Sequence, residues 1–380
     1  MAPFSSLDHH FMGRAIVLAR RGLYTTDPNP RVGCVLVRDG EVVGEGWHVR
    51  AGEGHAEVNA LRLAGERARG ATAYVTLEPC SHFGRTPPCA DTLIDAGIAR
   101  MVCAMVDPNP SVAGQGLERL RAAGVEVAGG LMEREARALN PGFIKRMEQG
   151  LPLVRVKLAT SVDGRTAMAG GESQWITGPQ ARSDVQRLRA RSSAIVTGID
   201  SLLIDDSSLT VRADELGLEQ AELIAARQPL RVVLDTDLRM PIDAKILGQP
   251  GRTLVVTRSR DEQKIESLWS RGAEVIGLAG EGRIDLRALL EHLAGAEQCN
   301  ELLVECGATL AGAFVEAGLV DELILYMAPK LLGSRARPLL ELPLDRMDQQ
   351  IPLALADIRH LGDDLRLDWR LLETDGSQEP

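Results

Sequence analysis

Along the first 150 residues, apolar and polar positions alternate in a strand-then-helix rhythm. Short apolar runs at 31–37 and 41–47 flank Asp39-Gly40, the turn expected of a β-hairpin. Residues 55–69 carry Val58, Leu61, Ala64 and Ala68 on one stripe, which predicts a helix. A strand at 71–77, a helix at 88–96, a strand at 101–106, a helix at 117–123 and a strand at 125–128 follow. One charged helix is expected over 133–147. Gly150 and Pro152 then stop the helix and begin an extended segment. A domain boundary is placed there, giving domains 1–150 and 151–380.

The second half repeats the alternation. Strands are expected at 153–159, 194–198, 231–235, 253–257, 301–305 and 322–327, and helices at 179–191, 286–294 and 310–317. Strand and helix in turn predict a second α/β domain. No internal repeat or low-complexity segment is visible.

The chain has 380 residues with 44% hydrophobic and 25% charged positions, an ordinary globular composition. Aromatics make up only 3%, so the cores must be aliphatic. The net charge of −10 argues against non-specific nucleic-acid binding, which depends on Lys and Arg neutralising phosphates. No run reaches the roughly 20 apolar residues of a membrane span. The short apolar stretch at 15–19 is followed by Arg20 and Arg21 and makes a poor secretion signal. A cytoplasmic location, with no membrane and no nucleic-acid partner, is expected.

Six cysteines in such a chain are not read as a disulfide framework. Cys34, Cys103, Cys299 and Cys306 read as packed thiols. Cys80 and Cys89 differ, since they flank a Pro- and Gly-rich loop, and five of the seven histidines lie in the first half.

The decisive residues are His55-Ala56-Glu57 and Cys80 with Cys89, each cysteine preceded by a proline. One imidazole and two thiolates give zinc three protein ligands and leave a position open for water. The metal lowers the pKa of that water toward about 7, and Glu57 is free to shuttle protons. Helical residues two apart do not share a face, so the spacing alone does not explain how Glu57 reaches the water. The pattern matches the zinc-deaminase signature H-x-E … P-C-x-x-C except that eight residues separate the cysteines. A structural zinc loop with His82 as fourth ligand is the alternative, and it leaves Glu57 idle.

The first half, with HAE at 55–57, PCSHFGRTPPC at 79–89 and DPNP at 107–110, resembles the bifunctional deaminase–reductases of riboflavin biosynthesis. The second half resembles them in KLATSVDGR at 157–165, GESQWIT at 171–177 and APKLLG at 328–333. The resemblance runs from about Asp8 to about Leu371, and the long cysteine loop is part of it. It implies a cytidine-deaminase-like α/β/α domain followed by a dihydrofolate-reductase-like α/β domain. The first would deaminate a phosphoribosylamino-bearing diaminopyrimidinone, and the second would reduce its ribosyl group to ribityl with NADPH.

The resemblance also implies site residues. His55, Cys80 and Cys89 would hold one Zn2+ per chain, with Glu57 catalytic. Asn29, His48, His82, Arg85, Thr86 and Asp107 would meet the deaminase substrate. Ala159, Trp175, Ser201, Asp205, Thr236 and the turn Gly307, Ala308, Thr309, Leu310, Ala311, Gly312 and Ala313 would line the NADPH groove. By itself that turn also reads as a plain helix cap, because the G-x-G-x-x-G fingerprint is absent. Ser173, Arg189, Leu209, Arg212 and Glu305 would line the reductase substrate pocket, where the two arginines suit phosphate or, alternatively, form surface salt bridges. Lys157 is a further polar candidate there. Small phosphoribosylated pyrimidines are the expected partners, with a homo-oligomer as the assembly. The competing readings are a nucleoside or tRNA deaminase with an unrelated tail, and a zinc-stabilised binding module without catalysis.

Overall fold

The apolar stretch at 15–19 is the end of a helix, α1 (Ser6–Arg20), in the computed structural model, which describes residues 4–81, 88–110 and 112–372. Ser5 and Asp8 cap it reciprocally: the Asp8 N–H donates to Ser5 Oγ, and the Ser5 N–H donates to Asp8 Oδ2. The chain divides into two units, Met1–Leu151 and Pro152–Pro380.

After α1 the first unit runs β1 (Gly33–Arg38), β2 (Glu41–Trp47), α2 (Ala56–Ala64), β3 (Thr72–Val75), α3 (Cys89–Asp95) and β4 (Arg100–Cys103). It closes with α4 (Gln115–Ala122), β5 (Glu126–Gly129), α5 (Glu133–Arg137) and α6 (Pro141–Gln149). The sheet order is β2-β1-β3-β4-β5, with β1 antiparallel to both neighbours and β3, β4 and β5 parallel. Strand side chains alternate between two cores. Cys34, Leu36, Ala73, Val75, Met101 and Cys103 pack under α2, α3 and α4. Val35, Val37, Tyr74 and Val102 pack under α1, α5 and α6.

Two expectations are corrected here. Residues 133–147 are not one helix: Asn140 leaves helical geometry, and Pro141, which has no N–H to donate, starts α6 instead. The helix expected over 55–69 ends at Ala64 and continues as a 3-10 turn, Gly65–Ala68.

The second unit begins with β6 (Leu153–Ser161), β7 (Arg165–Ala167), α7 (Pro179–Arg191), β8 (Ala194–Gly198), α8 (Ile199–Asp205), α9 (Ala213–Leu216) and α10 (Ala221–Ala225). It continues through β9 (Leu230–Leu234), β10 (Thr253–Thr257), α11 (Glu262–Ser270), β11 (Ala273–Gly277), α12 (Leu286–Gly295), β12 (Glu301–Glu305) and α13 (Ala308–Glu316). It ends with β13 (Glu322–Ala328), β14 (Arg337–Pro338), β15 (Leu353–Leu361) and β16 (Asp364–Leu371). A nine-stranded sheet has the order β11-β10-β9-β8-β12-β6-β13-β16-β15. The strands from β11 to β13 are parallel, while β16 and β15 add an antiparallel hairpin. The parallel strands are near-continuous apolar runs such as LRVVL and TLVVT, buried along their whole length. β15 is the sheet edge and is largely exposed.

Candidate active sites

In the first unit, the sheet brings α2 close enough to aim its N-terminus. A Cβ on Gly44 of β2 would lie 2.3 Å from the Ala60 carbonyl oxygen, and one on Gly46 would lie 2.6 Å from that of Ala56. Only glycine permits this approach. His55 is the cap residue of α2, in extended geometry, so its ring leaves the helix end rather than the helix face. That resolves the spacing problem: His55 and Glu57 need not share a helical face. Asn59 fixes the approach by donating to the carbonyls of Trp47 and Gly54 at 2.9 and 3.1 Å.

Cys80 follows β3, and Cys89 is the first residue of α3. His55 Nδ1 lies 3.1 Å from Cys89 Sγ and 3.7 Å from Cys80 Sγ. The three donor atoms all fall within 4.8 Å of one another. Tetrahedral zinc with ordinary Zn–S and Zn–N bonds sets such edges at roughly 3.5 Å, so the donor set fits the metal in both chemistry and spacing. Of the two thiols, Cys80 is held down at about 4 by hydrogen bonds from Cys89 and His55. Cys89, beside that sulfur and buried, is pushed up. Contact with Cys80 raises the His55 imidazole against the effect of burial.

Glu57 is 3% exposed, and burial raises its carboxyl despite the neighbouring His55. A buried acid beside a metal-type donor set suits proton transfer near neutral pH. His48 stacks edge-on to His55 at 5.3 Å between ring centroids. Its Nδ1 lies 3.2 Å from the Gly54 carbonyl, and its Nε2 lies 3.1 Å from the Asn29 amide nitrogen. Burial lowers the His48 pKa, which favours a neutral ring donating from Nδ1 and accepting at Nε2. This tautomer leaves the Asn29 carbonyl oxygen directed away from His48. Asp107 follows β4, with its N–H on Glu78 and its carboxylate accepting from the Asn109 N–H. His82, Arg85 and Thr86 lie outside the described residues.

In the second unit, a cavity of about 1030 Å³ opens along the parallel strands and the turns that follow them. A single ligand site usually occupies about 300–1,000 Å³, so two ligands fit together. Ala159, Ser173, Trp175, Ser201, Asp205, Leu209, Arg212, Thr236 and Glu305 line it. Gly307, Ala308, Thr309, Leu310 and Ala313 line it as well. Ala311 and Gly312 do not: Ala311 is fully buried, and Gly312 is backed by the Glu341 main chain. A helical turn cannot present every residue to one side. Gly307 caps α13 without a side-chain hydrogen bond, leaving backbone N–H groups for an anion. The Thr309 hydroxyl is already donated to Glu341.

Arg189 places its fork on the Glu305 carboxylate, Nε at 2.6 Å and Nη2 at 2.9 Å. Arg189 lines the cavity and is held there in an ion pair with Glu305, the salt-bridge alternative to a phosphate clamp, though within the cavity rather than at the surface. Arg212 keeps its guanidinium at the rim, paired with Glu215 at 2.6 Å. Lys157 lies 4.0 Å from Glu305, and burial, aided by Arg189, lowers its pKa. Burial opposes the Glu305 charge, but Arg189 and Lys157 hold its carboxyl below the usual range. Cys306 lines the same cavity, its thiol pushed up to about 12 by burial and Glu305.

Several cavity residues were missed by the sequence reading. Arg182 stands over the Trp175 ring at 4.7 Å and donates to the Thr177 carbonyl. Arg239, Lys245, Arg283 and Arg337 add further positive charge. Nothing local in the sequence marks these cations as different from surface ones. The packed thiols are found as expected at Cys34, Cys103 and Cys299.

A sequence model for the "cytidine and deoxycytidylate deaminase zinc-binding region" matches residues 5–105, and one for the "RibD C-terminal domain" matches residues 152–367. The riboflavin biosynthesis protein RibD of Escherichia coli K12 is 54% identical over 95% of this chain and 98% of its own length. That of Haemophilus influenzae is 50% identical over 97% and 99%. An Acinetobacter baumannii RibD structure matches with a TM-score of 0.90 at 48% identity, covering 97% of this chain and 99% of its own. A diaminohydroxyphosphoribosylaminopyrimidine deaminase / 5-amino-6-(5-phosphoribosylamino)uracil reductase from Thermotoga maritima matches at 0.82 and 30% identity, covering 96% and 99%.

Proposed function

This chain belongs to the RibD family of riboflavin biosynthesis proteins, and from that premise we propose how its residues share out two reactions. It is a bifunctional enzyme, a zinc deaminase followed by an NADPH-dependent reductase, on a cytidine-deaminase-like and then a dihydrofolate-reductase-like α/β fold. Its substrates are small phosphoribosylated pyrimidines: the diaminopyrimidinone for the first step and 5-amino-6-(5-phosphoribosylamino)uracil for the second.

The observation that carries the deaminase reading is the His55–Cys80–Cys89 donor set beside the buried acid Glu57. Zinc, held by these three side chains, would supply Lewis-acid activation of the hydrolytic water. Glu57 moves the protons. It takes one from the water as the C–O bond forms and passes it to the ring nitrogen, then takes the second from the new hydroxyl and delivers it to the amine as the C–N bond breaks, so that ammonia leaves and a carbonyl remains. Asn29, oriented by neutral His48, accepts from the pyrimidine, and Asp107 closes the pocket. His82, Arg85 and Thr86 supply donors suited to the sugar phosphate.

In the reductase, NADPH held in the cavity would supply a hydride for C1′ of the ribosyl group, whose ring oxygen would leave carbon and take a proton. The cavity residues do the positioning. The backbone at Gly307–Leu310 receives the pyrophosphate. Ala159, Trp175, Ser201, Asp205 and Thr236 hold the rest of the dinucleotide. Ser173, Leu209 and Arg212 hold the substrate, with the Arg189–Glu305–Lys157 cluster beneath it. Lys157 is the protonated group we place nearest the opening ring.

We further propose a cytoplasmic homo-oligomer that does not bind nucleic acid. The exposed edge strand β15, with Leu355 46% and Ile358 51% exposed, supports assembly, and sedimentation of the full chain tests it. Among the described residues, no helix is long and apolar enough to cross a membrane. The functional test is incubation with the diaminopyrimidinone phosphate with and without NADPH. Ammonia should appear in both cases, and nicotinamide absorbance should fall only after it. Ammonia from free cytidine or tRNA instead would overturn the substrate assignment.

A further inference from the structure

Glu78 lies two residues before Cys80, is 3% exposed, and reaches a stretch of chain 29 to 39 residues further on. Its Oε2 accepts from the N–H groups of Asp107 at 3.1 Å and Gly114 at 2.8 Å. Its Oε1 accepts from those of Gly116 at 2.8 Å and Leu117 at 3.3 Å. A carboxylate that merely capped α4 would need only the last two bonds. The bonds to Asp107 and Gly114 extend the grip outside the helix, to the residue that follows β4. The two segments also touch directly, since a Cβ on Gly116 would lie 2.0 Å from the Pro79 carbonyl oxygen. Cys80 is secured by other means: its sulfur accepts from the Cys89 N–H at 3.3 Å, and its carbonyl accepts from the Ala90 N–H at 3.2 Å.

We infer that Glu78 is a positioning residue for the deaminase. It clamps Asp107 and the first turn of α4 against the Cys80 turn, so that this wall of the pyrimidine pocket is set before substrate arrives. The inference rests on the deaminase reading above. It separates two duties that a simple structural role would merge. Metal binding depends on the bonds of Cys80 itself, whereas substrate affinity depends on the clamp. Four N–H groups share one carboxylate, those of Gly116 and Leu117 buried and those of Asp107 and Gly114 partly buried, and an amide in its place would turn an NH2 group toward two of them.

The experiment compares Glu78→Gln and Glu78→Asp with the unmodified chain. It reads ammonia release from the phosphoribosylated diaminopyrimidine, zinc affinity by chelator competition, and NADPH oxidation on the deaminated intermediate. Glu78→Gln should raise the deaminase KM about tenfold, as expected for one disrupted buried polar cluster. Its kcat should stay within about threefold, and zinc affinity and reductase rate should be unchanged. Glu78→Asp, which keeps the charge, should recover part of the KM. An unchanged KM overturns the inference, and so does a parallel loss of zinc affinity and kcat. Should Glu78→Gln fail to fold, hydrogen exchange on the unmodified chain decides. The Asp107 and Gly114 amides should exchange as slowly as those inside α4, and exchange at the rate of a free loop overturns the clamp. If the unmodified chain releases no ammonia, the deaminase reading fails, while the exchange result still judges the clamp.

Discussion

Lys330 holds the Trp175 segment by its main chain, with its Nζ 2.9 Å from the Trp175 carbonyl oxygen and 2.7 Å from that of Ile176. Arg182 takes the next carbonyl, that of Thr177, and covers the Trp175 ring. Three successive carbonyls therefore accept from two cations. This segment, from Ser173 to Thr177, forms one wall of the reductase cavity. A cavity wall without regular secondary structure is thus held in place by charge-assisted bonds.

We predict that Lys330→Met raises the reductase KM for NADPH about three- to tenfold. The bonds lost are charge-assisted, but one is solvent-exposed and the other only partly buried, which limits their contribution. Initial-rate titration with NADPH checks this, and the deaminase rate on the same chain serves as the control. An unchanged KM would mean that the segment is held some other way.

Asn29 touches His48 in the first unit, and we predict that Asn29→Ala lowers the deaminase kcat/KM by about 10- to 100-fold, the loss of a buried polar contact to substrate. Zinc content should stay at one per chain. Ammonia release against substrate concentration is the measurement, and near-normal kcat/KM would remove Asn29 from the pocket.

Arg189 grips Glu305 with two nitrogens, and a lysine supplies only a point charge. Arg189→Lys should therefore lower reductase kcat/KM by at least about tenfold while leaving ammonia release alone. Equal rates for both variants in NADPH oxidation would show that the buried pair is not part of the reductase site.

Acid sensitivity should arise in part far from either site. Asp8 is buried and hydrogen-bonded to Arg100, Ser5 and Tyr74. Burial opposes its charge, but Arg100 and the other donors hold its carboxyl below the usual carboxylate range. A folded-state pKa below the unfolded one means that the unfolded chain binds more protons in acid. The stabilisation is then complete above about pH 4 and fades as pH falls further. Asp8→Asn should cost about 1.5–3 kcal/mol at neutral pH, and its deficit should shrink below about pH 4. Denaturant titrations from pH 7 to 3 read the difference, and a deficit that grows in acid would contradict the sign.

How much of this was legible in the sequence depends on whether the signal was local. That His55, Cys80 and Cys89 come together was legible because zinc chemistry restricts the residue types that hold it. The parallel strands were legible as unbroken apolar runs. Helix α1 was passed over although Ser5 and Asp8 carry a capping pattern, because its charged face hid the apolar stripe. The hairpin of β15 and β16 was missed because an exposed edge strand such as LALADIRHL lacks a buried periodic face. Glu78 had no local signal at all, since its partners are backbone N–H groups far along the chain. Arg189 was read either as a phosphate ligand or as a salt-bridge partner, and nothing in the sequence tells that Glu305 is the carboxylate that faces it. Ala311 and Gly312 were drawn into the cofactor turn as a block, whereas helical geometry turns them inward.

The proposed deamination depends on Glu57 as the proton carrier beside a His55–Cys80–Cys89 zinc site. The most direct measurement is ammonia release by Glu57→Gln, with zinc content and NADPH oxidation followed on the same preparation. We predict ammonia release reduced by about 10³-fold or more, one zinc retained per chain, and undiminished reduction of the deaminated intermediate. Ammonia release at the rate of the unmodified chain, with zinc in place, would contradict it.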